Sequence, residues 1–237
     1  MNGFDQLVWR EWRRSRTILF VALGIIVALL LLVFSQPQTP PEAAGGEIRV
    51  VGSMAVVGYF ASWIAVHVSV FLLPMIAANS LAGERADRSA EFIAPLPVSR
   101  AVRLMAKVVL LAAVAIALWA PMLVVASLLR SSQLVKADDY RSGLELLGVI
   151  ATFAILTTAL AWLLAARIES AVIAAVMAIA IPVAVPWAMF CLQAPFLAPA
   201  SFFGLWIDSD GIPQPLTFFA AAAFFAAGSA LYVRGLE

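Results

Sequence analysis

The chain reads as an all-α membrane protein with six transmembrane helices, and three observations carry that reading. Hydrophobic residues fill 64% of its 237 positions and charged residues 12%, where soluble domains run roughly 45–50% and about 25%. The apolar residues gather in six runs, Ile18–Phe34, Met54–Ala78, Val108–Leu129, Leu146–Ala166, Ala171–Phe190 and Leu216–Val233. Each is near the roughly 17–25 residues that cross a ~30 Å hydrocarbon core. The charges fall between these runs rather than within them. In lipid every backbone amide must be bonded inside its own segment, so runs of this length are helices. The alternating strands of roughly ten residues that build a membrane barrel do not occur.

The segment before the first run, residues 1–16, predicts a helix lying in the headgroup plane. On a helical wheel Phe4, Leu7, Val8 and Trp12 gather on one side, and Gln6, Arg10, Arg13 and Arg14 gather opposite. That sorting suits an apolar face in the membrane and arginines toward anionic lipid, with Trp9 and Trp12 at interfacial depth. The first run leads through Ser35 and Gln36 into Pro37 without a small-x-small cleavage site, so it is expected to be a retained span.

Orientation follows from lysine and arginine placement. With the N-terminus inside, the inner segments hold Arg10, Arg13, Arg14, Arg16, Arg85, Arg88, Arg100, Arg103, Lys107, Arg167 and Arg234, against Arg49, Arg130, Lys136 and Arg141 outside. Eleven against four predicts both termini in the cytoplasm. Among the outer loops, residues 35–53 contain three prolines and a Gly45-Gly46 pair and read as an irregular connector, and residues 130–143 read as a short polar loop. Residues 191–213 are apolar and aromatic yet broken by Pro195, Pro199, Gly204 and Gly211. They predict a re-entrant or interfacial segment, with Phe202, Phe203 and Trp206 at the boundary. Small residues spaced by four, Ala161/Ala165, Ala171/Ala175, Ala174/Ala178 and Ala222/Ala226/Ala230, predict close helix packing.

Chemistry of its own is hard to find in this chain. His67 is the one histidine and the one ionisable residue well inside a predicted span, and with Ser69 it marks where a polar track could run. No Gly-x-Ser-x-Gly turn, second acidic pair to match Asp138-Asp139, or phosphate-binding Gly-rich loop is present. The lone Cys191 offers no disulfide or metal cluster. The expectation is no enzyme activity and no cofactor or metal in this chain, and nothing points to nucleic acid.

What remains is the charged island ERADRSAEFIAPLPVSRAVR, Glu84 to Arg103, between the second and third runs. A connection between spans needs about five residues, and this one is several times longer. Glu84–Ala94 reads as a cytoplasmic helix ended by Pro95, with Ala86, Ala90, Phe92 and Ile93 as an apolar side for a partner's groove. Ser99 is placed to cap the next helix.

The island resembles the cytoplasmic loop of ABC-type-2 exporter permeases, of the form E-R-x-x-G-T-x-E-x-x-x-x-x-P-V-S-R. Glu84-Arg85, Glu91 and Pro97-Val98-Ser99-Arg100 match, while Arg88-Ser89 replaces Gly-Thr. The resemblance implies a permease dimer, of identical or different chains, embedded in the bacterial cytoplasmic membrane. It implies a separate ATP-binding subunit that holds ATP and magnesium. Glu84, Arg85, Asp87, Arg88, Glu91, Phe92, Pro95 and Pro97 would then form or shape the contact of a coupling helix with that ATPase. Residues 1–16 would be the elbow helix, and 191–213 the re-entrant helices before span six. The other readings are an ion-coupled carrier or intramembrane enzyme using His67, and a membrane anchor subunit that moves no cargo.

Overall fold

The computed structural model describes residues 3–35, 51–86, 99–131, 137–191 and 215–234. They form six α-helices: α1 Gly3–Ser35, α2 Val51–Ala86, α3 Arg100–Ser131, α4 Ala137–Ala165, α5 Ala171–Cys191 and α6 Pro215–Arg234. No strand occurs among the described residues. Among the described residues four stretches are long and apolar enough to cross a membrane, Phe60–Glu84, Arg100–Val124, Gly148–Ala165 and Thr217–Arg234, and α5 adds the shorter apolar helix Ala171–Ala184. The described residues are all-helical, and their apolar helices make this a membrane-embedded protein.

Local chemistry accounts for several boundaries. Ser99 caps α3 as its position suggests, its hydroxyl accepting the Val102 amide at 3.3 Å and its carbonyl the Arg103 amide at 3.2 Å. Ser170 does the same for α5, accepting the Ile173 amide at 3.4 Å on its hydroxyl and the Ala174 amide at 3.0 Å on its carbonyl. Pro74 and Pro121 stay inside α2 and α3. A proline there removes one helical hydrogen bond, a loss that neighbouring helices make tolerable in a packed membrane bundle.

Three boundaries differ from the expectation. The helix starting at Gly3 runs without interruption into the first apolar run, because no glycine or proline stands between residues 4 and 23 to break it. Its buried stripe, Leu7, Glu11, Ser15 and Ala22, faces the protein, while Trp9 and Trp12 are exposed. Residues 3–16 and the first apolar run therefore lie on one continuous helix. At the other end of the second run, α2 continues through Ala86, so Glu84 belongs to its last turn. The polar outer loop expected at 130–143 is shorter, since α4 begins at Ala137 and places Asp138 and Asp139 in its first turn, where acids favour a helix N-terminus.

α2 is the hub. It packs against α4, α3, α5 and α1, and α4 packs in turn on α6 and α5. The centre is made of Leu73, Ile76 and Leu81 from α2 and Trp162 from α4, each at most 2% exposed. Around them Ala77, Ala78, Ala161, Ala165, Ala174 and Ala178 are fully buried. Lipid tails are as apolar as leucine, so helices in a membrane gain from close backbone approach rather than from hiding grease. The closest approach is at Gly228 of α6, where a Cβ would lie 2.7 Å from Trp162 Cδ1 and 3.0 Å from the Leu163 Cα. Beside it the Trp162 indole donates to Ser229 Oγ at 3.2 Å, and the ring stacks on Phe225 with centroids 5.0 Å apart. The triplet Ala222/Ala226/Ala230, expected to pack, faces outward from this chain. α6 uses the Gly228 face instead.

Candidate functional site: a buried ionic clamp

At one end of the bundle, the start of α1, the end of α2, the first turns of α3 and the end of α6 converge on four charged side chains. Glu84 is 4% exposed, and Glu11 and Lys107 are each 1% exposed. Glu84 Oε1 lies 2.9 Å from Lys107 Nζ and 3.0 Å from Arg10 Nη2. Glu11 Oε1 receives the same two cations, at 3.2 Å from Lys107 and 3.1 Å from Arg10. The other oxygen of Glu84 accepts the Tyr232 hydroxyl at 2.9 Å. Two acids thus face two cations, and one carboxylate ties α2 to α1, α3 and α6.

Lys107 is the pivot of this arrangement. An ammonium has three protons to donate, and Lys107 Nζ meets Glu84, Glu11 and the Ser80 carbonyl at 2.5 Å. It also sits 5.9 Å from the centroid of the Tyr232 ring, within cation–π range. An unpaired buried charge costs several kcal/mol, so the clamp holds only while its partners stay together. Burying ion pairs need not raise stability over apolar packing. Its consequence is that the four helix ends cannot separate without exposing or stranding a charge.

The geometry next to the clamp is tight. A Cβ on Gly83 would meet the Arg14 guanidinium at 3.2 Å and Asn79 Oδ1 at 3.1 Å, so α1 lies directly against the last turns of α2.

The other residues singled out by sequence are placed as follows. Arg85 is in the last turn of α2, next to the clamp. Asp87, Arg88, Glu91, Phe92, Pro95 and Pro97 lie outside the described residues, as do 192–213 of the segment expected to be re-entrant. Of the island residues named for the contact only Glu84 is described in full, and its carboxylate points into the bundle. His67 is held by its own helix, Nδ1 lying 2.8 Å from the Trp63 carbonyl and the ring 3.9 Å from the Trp63 ring centroid. Ser69 is fully buried between α2 and α3. Its hydroxyl donates to the Val66 carbonyl and accepts the Trp119 indole N–H at 3.1 Å. His67 and Ser69 are not brought together with the clamp.

Sequence reasoning missed Glu11, Lys107 and Tyr232, and placed Arg10 toward headgroups. A signal existed in Lys107, which follows the apolar Leu104–Ala106 and directly precedes a span. Glu11 is likewise a lone acid among arginines. No protein-family model and no curated protein sequence matches this chain.

Proposed function

We propose that the chain is the membrane permease subunit of an ATP-driven exporter of the ABC-type-2 kind, with no catalysis of its own. Six spans, both ends in the cytoplasm of a bacterial inner membrane, and pairing with a second permease copy belong to the same proposal. The observation that carries it is the position of Glu84. It is the residue at which the charged island begins, in the last turn of α2, and it is bonded to α1, α3 and α6 at once. A push on residues 85–97 by an ATP-binding partner would act on a helix end already joined to three others. Rigid helices tied this way move together, which is how a local contact biases a packing with two states. The match of Glu84-Arg85, Glu91 and Pro97–Arg100 to the permease loop supports the same reading.

On this proposal the ATPase contact is made by Arg85, Asp87, Arg88, Glu91 and Phe92, with Pro95 and Pro97 shaping the turn, and Glu84 is the joint behind it. Purification of the tagged chain from its native membranes in mild detergent tests the reading. An ATP-binding protein should accompany it with ATP hydrolysis, and should be lost when residues 86–94 are replaced by a Gly-Ser linker of equal length. A chain that purifies without an ATPase and is active alone would overturn it.

A further inference from the structure

Between α3 and α6 the bundle carries a groove of about 410 Å³, within the roughly 300–1,000 Å³ typical of ligand sites. Alanines hollow it out, Ala112 and Ala115 on α3, Ala159 on α4 and Ala222 on α6. Ala112 and Ala222 are exposed, so the groove opens on the outside of the bundle. Its polar lining atoms are already used. The Thr158 hydroxyl donates to the Ala154 carbonyl at 2.5 Å, and the Trp119 indole donates to Ser69. Nothing is left to recognise a polar group, so the occupant of the groove is hydrocarbon.

Length and charge narrow the occupant. Along α3 the lining runs from Val108 to Trp119, eleven steps that at ~1.5 Å each give ~16 Å. One leaflet of a ~30 Å hydrocarbon core is about half that core, ~15 Å. Eight steps beyond the Val108 and Phe225 end of the groove, ~12 Å along either helix, Arg100 Nη1 reaches the Val233 carbonyl at 3.5 Å, so the start of α3 meets the end of α6. That end offers Arg100 and Arg103 from α3 and Arg234 from α6, and neither helix contains an aspartate or glutamate. Unlike Lys107, none of the three has an acidic partner among the described residues. Arg103 Nε is buried without a hydrogen-bond partner. Basic groups between helices at a membrane surface are complementary to anionic lipid headgroups.

We propose that the α3–α6 groove binds one acyl chain of an anionic phospholipid from the surrounding leaflet, its headgroup seated beside Arg100 and Arg234. The chain length of one leaflet fits the hollow, and the uncompensated arginines supply the sign. This site is independent of any ATP-binding partner.

The test is native mass spectrometry of the purified full chain in detergent, titrated with phosphatidylglycerol and with phosphatidylcholine of identical acyl chains. The intact chain should retain phosphatidylglycerol in preference. R100Q/R234Q should weaken phosphatidylglycerol by roughly 25-fold, about fivefold per arginine, and leave phosphatidylcholine unchanged. Ala112→Phe, which fills the hollow, should reduce both lipids while thermal unfolding stays cooperative. If that variant does not fold, Ala222→Phe fills the groove from the opposite wall. Equal retention of the two lipids by the intact chain would overturn the proposal. So would a folded groove-filled variant that retains phosphatidylglycerol as the intact chain does, because the arginines would then bind headgroups without the groove.

Discussion

The seam where α4 meets α2, α5 and α6, and the clamp around Glu84, join overlapping sets of helices by opposite means. The seam is shape: Ala77, Ala161, Ala165, Ala174 and Ala178 are fully buried, and Gly228 lets α6 approach Trp162 at less than a side chain's distance. The clamp is charge: the buried Glu11, Glu84 and Lys107 pair with one another and with the partly exposed Arg10. Inside a membrane, apolar contact is gained almost equally from lipid, so the seam depends on backbone closeness. A buried ion has no such substitute and depends on a named partner. The seam should therefore tolerate any change that keeps its volume small, and the clamp any change that removes charges in pairs.

That contrast can be broken most directly at Lys107. Lys107→Met should cost about 3–5 kcal/mol, because it strips the buried Glu11 and Glu84 carboxylates of the fully buried cation they share; reversible unfolding in mixed detergent micelles reads the loss. Adding Glu84→Gln to that variant should cost less than the two single changes summed, with a coupling of about 0.5–3 kcal/mol in a double-mutant cycle. Strict additivity would mean that the two side chains do not meet. Tyr232→Phe removes one hydrogen bond to a charged carboxylate and should cost about 1.5–3 kcal/mol by the same unfolding assay.

On the seam, Gly228→Ala should cost about 1–3 kcal/mol, since the new methyl meets the Leu163 backbone as well as the Trp162 ring. Ala226→Leu, one half-turn away but outward-facing, should change unfolding by no more than about 0.5 kcal/mol. Comparable losses at Gly228 and Ala226 would show that α6 packs on a different face.

The two regions were also unequally legible before the structure. Membrane class and helical architecture follow from composition and run length, because lipid leaves few alternatives. Ala161, Ala165, Ala174 and Ala178 were recognisable by spacing, and they are buried. The same spacing at Ala222/Ala226/Ala230 marks a face that this chain leaves uncovered, since periodicity finds a face without saying what covers it. The clamp was legible only at Glu84. Its partners lie 74 residues earlier, at Arg10, and 148 later, at Tyr232. A helical wheel sorts α1 by polarity, yet its buried stripe contains Glu11 and Ser15, because the facing helix supplies Lys107. A buried polar face looks like a surface until its complement is known. The start of α4 was misjudged for a related reason, as the charged residues from Ala137 on were read as loop although they belong to a helix.

On the proposed function, the segment after Glu84 receives force from an ATP-binding partner. Site-specific crosslinking in native membranes tests it most directly. A single cysteine at Glu91, in a chain where Cys191 is replaced by serine, is compared with one at Asp138 in the first turn of α4. A crosslink to an ATP-binding protein is expected from Glu91 and none from Asp138. No capture from Glu91, or equal capture from both positions, would contradict it.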